Sequence, residues 1–346
     1  MSDVEHRRRR AFVTGGTGFL GANLIEQLVA DDWQVTAMHR PSSDPARLHA
    51  LGASPVAASL DDIESLRAAL PQELDAVFHL AGNTSMWRGG DAQQWQDNVE
   101  GSANLARATR EHFAAQPEPR RGRMIVTSSI SAYGYHNAVI SEASPKLASN
   151  PRFHYHYSKM HAEQAVLREA ANGLDVVFLN PCAIVGKYDV SSWAQTFFML
   201  AENRLPGVPP GAGSFCHAGA VARAHINAFH RGRSGENYIL AGTDASFLEF
   251  FGLIAKLVGV PAPKRTTPAP VIHAMAHISD MASRLSGREP AVTPQKAKML
   301  TGRALADCSR AEQALGYQSR VSLEQMLTES RDWLVAEGLL QLPQAK

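Results

Sequence analysis

Tyr155 and Lys159 stand four residues apart in the stretch Tyr155-His156-Tyr157-Ser158-Lys159. On a helix that spacing puts both side chains on one face. An ammonium beside a phenol favours the phenolate and lowers a pKa that is ordinarily about 10. Such a tyrosine can serve as the acid for a carbonyl oxygen at neutral pH. Tyr157 has His161, not lysine, four residues on, and is the weaker candidate. A lone Tyr/Lys pair is often surface decoration, and a third residue changes its weight. Met124-Ile125-Val126-Thr127-Ser128-Ser129 reads as a buried strand ending in hydroxyls. In an open parallel sheet the ligand crevice lies beyond the carboxyl ends of the strands, so Ser129 would face it and could donate to a substrate carbonyl.

A second chemical feature is Thr14-Gly15-Gly16-Thr17-Gly18-Phe19-Leu20-Gly21, which follows an apolar strand and opens an amphipathic helix. Gly15 can make the tight turn, Gly18 admits a pyrophosphate to the backbone, and Gly21 permits close helix–strand packing. Free N–H groups at the helix start would face the phosphates. Gly15, Thr17, Gly18, Phe19, Leu20 and Gly21 form the expected cofactor cradle. The end of the second strand reads Met38-His39-Arg40-Pro41-Ser42-Ser43, without Asp or Glu. A carboxylate there would grip both ribose hydroxyls and repel a 2′-phosphate. Arg40 can instead pair with that phosphate, and Ser42 or Ser43 can hydrogen-bond it. The expected cofactor is therefore NADP(H) in preference, with NAD(H) possible.

These groups need elements to position them. Strands are expected at 11–14, 34–38, 75–80, 124–128, 176–180 and 237–240, and helices at 19–30, 61–70, 93–112 and 154–171. This alternation predicts an α/β parallel sheet with helices on both faces. Proline- and glycine-rich stretches around 206–213 and 261–270 mark a second, loop-rich lobe. The expected division is a basic tail at 1–10 and a cofactor-binding domain at 11–180 with segments returning near 218–245. A substrate lobe with C-terminal helices would take 181–217 and 246–346.

Composition excludes more than it names. The 346 residues hold 34 Lys and Arg against 33 Asp and Glu, a net charge of +1 that provides no global field for nucleic acid. His6-Arg7-Arg8-Arg9-Arg10 fails as a secretory n-region, because no long apolar run follows it, and so isolated a run is read as a solvated tail beside the first strand rather than a nucleic-acid contact. No stretch approaches the roughly 20 apolar residues of a membrane span. Cys182, Cys216 and Cys308 lack metal-ligand spacing and cannot all pair, which suggests a reducing, cytoplasmic setting. His273 and His277 are four apart but lack a third ligand, so no metal site is expected.

Taken in order, TGGTGFLG at 14–21, HLAG at 79–82, NVEGSANL at 98–105, TSSISAYG at 127–134, YHYSK at 155–159 and NPCAIVG at 180–186 resemble the extended short-chain dehydrogenases/reductases. The branch is that of dihydroflavonol-4-reductase-like and 3β-hydroxysteroid-dehydrogenase-like enzymes. The resemblance implies a doubly wound Rossmann fold with a smaller interleaved substrate-binding lobe. It makes Tyr155 the proton donor, Lys159 the ribose ligand that tunes it, and Ser129 the group orienting the carbonyl. Asn98 would stand near the active site. Leu60, Ala81 and Gly82 would approach the cofactor, and Pro181, Ile184 and Val185 would line its nicotinamide side. A homodimer would be usual.

Departures narrow the chemistry. Ser129 is followed by Ile130 and Ser131, not the acidic pair of sugar-nucleotide dehydratases. Gly211-Ala212-Gly213-Ser214-Phe215-Cys216-His217 lacks the arginine with which epimerases clamp a diphosphate, and Ala218-Gly219 replaces an acidic pair common among relatives. Ser59 precedes Leu60 where Asp is frequent. The preferred expectation is reversible ketone–alcohol hydride transfer on an apolar small molecule. The alternatives are a nucleotide-sugar epimerase using bound NAD and a cofactor-sensing regulator without catalysis; the intact Tyr/Lys pair disfavours the regulator. Met86, Trp87, Trp193, Phe197, Phe198 and Met199 are candidates for an apolar cleft, although residues of these types at helical spacing more often fill a core. The apolar face Val271, Ile272, Met275, Ile278 and Met281 is expected to pack over the substrate rather than touch a membrane surface, because it is short and His273, His277 and Asp280 are mixed into it.

Overall fold

Strand β1 (Arg10–Thr14) is apolar because helices cover both of its faces: Ala11 and Val13 enter one core and Phe12 the other. The same period-two division runs through the neighbouring strands of the sheet. In this computed structural model, which describes residues 7–116, 122–290 and 292–342, they are β2 (Gln34–His39), β3 (Ser54–Ala57), β4 (Ala76–His79), β5 (Arg123–Thr127) and β6 (Val176–Pro181). After β7 (Ala183–Val185) and β8 (Ala212–His217) the chain returns to this sheet with β9 (Asn237–Leu240). The order is β3-β2-β1-β4-β5-β6-β9, all parallel. The chain direction across the sheet reverses between β1 and β4, and the glycine turn leaves β1 at that switch point.

Two helical layers close the sheet. Leu24, Ile25 and Leu28 of the helix Phe19–Ala30 meet Val221 and Ile226 of the helix Ala218–Arg231 over one face. Leu66, Leu105 and Val166 cover the other. A second sheet joins β7, β8, β10 (Thr243–Ser246) and the short β11 (Arg303–Ala304). It packs with the helices Gln195–Ala201, Phe247–Val258 and Leu323–Ala336 around Phe215 and Phe250, whose rings stack at 4.5 Å.

Three local features differ from the sequence expectation. No strand is expected over 54–57, yet β3 forms there; it holds Pro55, and at a sheet edge a proline costs no ladder bond. The helix expected over 93–112 is interrupted by a π-helical turn at Gln96–Glu100 between Asp91–Trp95 and Gly101–Ala115. Gly101 lies against Leu60, where a Cβ would come within 2.9 Å of the leucine's own. The basic run is exposed yet anchored: Arg7 and Arg10 pair with Glu73, Arg10 opens β1, and Arg9 stacks on Trp33 at 5.7 Å. The first six residues of that run's segment, His6 included, lie outside the described residues.

Glycine geometry makes the fold testable. A Cβ on Gly21 would collide with the Gly15 carbonyl oxygen, whereas one on Gly252, in the helix Phe247–Val258, meets open space. Gly21→Ala is expected to destabilise the protein by about 1–3 kcal/mol. Gly252→Ala should stabilise it by about 0.5–1 kcal/mol. Denaturant midpoints measure both, and equal shifts would contradict this account.

Candidate active site

The glycine turn is built for close approach. Gly15 has a φ of +71°, and a Cβ there would stand 2.6 Å from the Ala81 nitrogen. Gly18 is the N-cap of the helix Phe19–Ala30 and supplies no side-chain cap, which leaves the first-turn amides of Phe19 and Leu20 to an outside acceptor. Thr17 is half-buried at the lip.

A directed chain of hydrogen bonds ties this turn to the neighbouring helix. Ser102 Oγ donates to the Asn98 carbonyl at 2.5 Å, so it must accept from His79 Nε2 at 2.9 Å. His79 Nδ1 then accepts from Thr14 Oγ1 at 2.7 Å, and Thr14 accepts from the Ala81 amide at 3.3 Å. Burial and then the charge of Lys159 lower the pKa of His79 to about 3, so the ring is neutral. His79 and Ser102 were read only as parts of motifs; their link is a tertiary contact.

Beside this chain Ser129 meets Tyr155, and Lys159 stands one turn further along the tyrosine's helix. Ser129 follows β5 and hydrogen-bonds Tyr155, which with Lys159 lies in the first turns of the helix His154–Ala171. Burial pushes the phenol's pKa up, while the bond from Ser129 pulls it back. This corrects the expectation of a phenol lowered chiefly by the ammonium. Lys159 Nζ donates to the Thr127 carbonyl at 3.0 Å, and burial lowers its pKa to about 8 against the opposing pull of Glu163. Glu163, one turn beyond Lys159 and 1% exposed, was not anticipated. Its carboxylate takes bonds from Lys146 and from Asn180 Nδ2, the latter at 2.7 Å. Asn180 also donates to the Ser129 carbonyl at 3.1 Å, so one buried carboxylate reaches both the lysine and the serine.

The other expected residues fall in distinct places. Asn98 lies in the π-helical turn with its side chain fully engaged: Oδ1 accepts from the Asn83 amide at 2.7 Å, and Nδ2 donates to the Asn83 carbonyl and Ser158. It anchors a loop. Gly82 is exposed above Lys159, and a Cβ there would lie 3.7 Å from Nζ. Arg40, past the end of β2, is exposed and stands 3.7 Å from Asp97, with Ser42 exposed beside it. Leu60 is half-buried against the core, and Pro181 ends β6. Ile184 leans on the main core, whereas Val185 is buried in the second lobe's core.

Several expectations about the pocket change. Phe197 is buried in the lobe's core, and Trp193 stacks on Phe247 at 5.6 Å, so neither is free to line a cleft. Met86 and Trp87 are half-buried, as are Phe198 and Met199. Next to Tyr155 stands a polar–aromatic group instead: His156 stacks on Tyr135 at 4.5 Å and is bonded by Gln295 at 3.0 Å. The Tyr135 hydroxyl is buried without a partner. His156 is thus buried and neutral, its pKa lowered to about 4 by burial. Where the acidic pair is missing, His217 caps the helix Ala218–Arg231 through the Ala220 amide and bonds Glu329 at 2.7 Å. Among the described residues no cluster of His, Cys, Asp or Glu could hold a metal.

Residues 11–241 match the NAD dependent epimerase/dehydratase family. The chain is 30% identical to a putative dihydroflavonol 4-reductase from Synechocystis sp., covering 94% of this chain and 95% of that one. It is 31% identical to 4-hydroxy-2-methyl-3-oxo-4-farnesyl-3,4-dihydroquinoline-1-oxide ketoreductase from Stigmatella aurantiaca, over 93% and 96%. The crystal structure of gox2253 superposes with a TM-score of 0.82 at 27% identity, covering 96% of this chain and all of that one.

The Lys159–Glu163 relation predicts a pH dependence. Lys159 is charged below pH about 8 and loses its proton above it, so turnover should fall along an alkaline limb there. Glu163→Gln removes the charge that holds the proton, and the limb of kcat/KM should move to lower pH. A lower rate with an unmoved limb would reduce Glu163 to a packing role.

Proposed function

The chain belongs to the NAD dependent epimerase/dehydratase family, within the extended short-chain dehydrogenases/reductases, and from that premise we propose that it is an NADP(H)-dependent ketoreductase. Its substrate would be a fairly apolar ketone or the corresponding secondary alcohol. The observation that carries this reading is the meeting of Ser129 and Tyr155, one helical turn from Lys159, beside an uncapped, glycine-lined helix start.

The cradle suits a dinucleotide: Gly15 and Gly21 admit backbone where a Cβ would not fit, and the bare amides of Phe19 and Leu20 suit a pyrophosphate. When bound, the nicotinamide cofactor supplies or accepts the hydride. The chain's own residues do the rest. Ser129 Oγ orients the carbonyl and stabilises charge growing on its oxygen. Tyr155 hands its phenolic proton to that oxygen, and the Lys159 ammonium stabilises the phenolate left behind. In the oxidative direction the proton returns to Tyr155.

The NADP preference rests on Arg40 and on the lack of an acid at the end of β2. The guanidinium's loose, exposed contact with Asp97 is worth well under about 1 kcal/mol, which leaves it available to a 2′-phosphate. The names of the reductase relatives and the missing arginine in β8 favour ketone reduction over sugar-nucleotide epimerisation.

Two experiments test this. NADPH oxidation against a panel of hydrophobic ketones should show turnover, and Tyr155→Phe should remove most of it while cofactor affinity stays within about twofold. Turnover of UDP- or GDP-sugars without added cofactor would favour the epimerase, and retained activity in Tyr155→Phe would refute the proton donor. Separately, NADPH should bind more tightly than NADH. Arg40→Asp should weaken NADPH binding by about tenfold or more, and tighter NADH binding by the unaltered protein would sink the preference.

A further inference from the structure

The helix Ala269–Ser286 is amphipathic in the wrong sense for a helix of a globular protein. It turns Ala276, Asp280 and Ser283 inward and leaves Val271, Met275, Ile278, Met281 and Leu285 outward. Ile278, Met281 and Leu285 are 69%, 68% and 93% exposed. This corrects the expectation that the apolar face packs over substrate. The spacing of four, three, three and four residues keeps these side chains on one stripe, about 21 Å long at 1.5 Å per residue. Nothing in the described part of the chain covers it.

Charge at its two ends selects the occupant. Lys264 and Arg265 precede the helix and Arg288 follows it, all three exposed, while the exposed Arg284 is paired with Asp280 of the same helix. The nearby acids are engaged: Asp280 is buried and bonds Arg284 at 2.9 Å, and Glu289 pairs with Lys296 at 3.4 Å. Pairing with a second copy would set these cationic ends against each other, whether the helices ran parallel or antiparallel. The cationic rim calls for an anionic partner. The stripe is a ridge of flexible aliphatic side chains on a helix backed by the protein, which fits a deformable surface. We propose that this helix docks the enzyme on an anionic phospholipid bilayer, lying flat with its apolar stripe among the acyl chains and its basic ends among the headgroups. No helix among the described residues is long and apolar enough to cross a membrane, so the attachment is peripheral. The adjoining helix Pro294–Thr301 carries Gln295, the partner of His156 beside Tyr155, which places the docked face one element from the crevice.

The test is co-sedimentation of the full chain with two kinds of vesicle, phosphatidylcholine alone and phosphatidylcholine enriched in phosphatidylglycerol. The protein should pellet with the anionic vesicles, and added salt should release it. The combined variant Ile278→Glu, Met281→Glu, Leu285→Glu should lose at least about tenfold in partitioning. Its turnover of a water-soluble ketone should match the unaltered protein, which shows that it folds. Lys264→Glu with Arg265→Glu should weaken binding to anionic vesicles only. Failure of the unaltered protein to pellet with either vesicle would overturn the proposal. So would light scattering that shows a dimer dissolved by the triple variant, because a second copy would then be the occupant.

Discussion

An ammonium held out of water beside Tyr155 is the constraint on which the rest of the site depends. Removing a cation from water is unfavourable unless its field and its protons find partners. Lys159 finds the Thr127 carbonyl at the end of β5 and, one helical turn on, Glu163. Glu163 is then itself a buried charge, and it requires Lys146 and Asn180. Asn180 lies on β6, holds the carbonyl of Ser129, and accepts from Asn237 on β9. One charge has thus recruited residues of three adjacent strands. β5 and β6 present Thr127 and Asn180 at their carboxyl ends, while Asn237, which opens β9, bonds Asn180 from the neighbouring strand.

Much of this architecture is legible in the sequence, for identifiable reasons. Strands buried on both faces read as unbroken apolar runs, and the glycine spacing at 15, 18 and 21 reports a backbone approach that side chains would forbid. The tyrosine helix is visible because its functional spacing coincides with the helical repeat. The unread parts share a cause: each depends on residues distant in the chain. β3 exists because an edge tolerates Pro55, and Gly101, which follows the π-helical turn, lies against Leu60 from a distant part of the chain. Glu163 reads as an ordinary helix glutamate until the fold brings Lys146 and Asn180 to it. The direction of the Tyr155 shift depends on burial, which spacing does not report.

The second lobe is harder to read because aromatic residues serve packing and recognition alike. Trp193, Phe197 and Phe215 could each have lined a pocket, yet they join one core with Phe247 and Phe250. The polar residues next to Tyr155 come from elsewhere, from the loop after β5 and from the helix Pro294–Thr301. The outward helix carries the same ambiguity in reverse. A periodic apolar face announces burial against something, but the pattern is identical whether that something is the protein's own core or an outside surface.

The hydrogen-bonded chain through Thr14, His79, Ser102 and Asn98 has a bearing on how protons travel. It begins at the Ala81 amide, which does not release its proton, and ends at the Asn98 carbonyl, which does not take one up. Between those ends each hydroxyl and ring nitrogen already has its donor and acceptor assigned. Reversing the direction of the chain would turn the Ser102 proton away from the Asn98 carbonyl and leave two acceptors facing each other. The chain is therefore an insulator: it fixes the distance between the cofactor turn and the helix of Asn98 without offering protons a path between them.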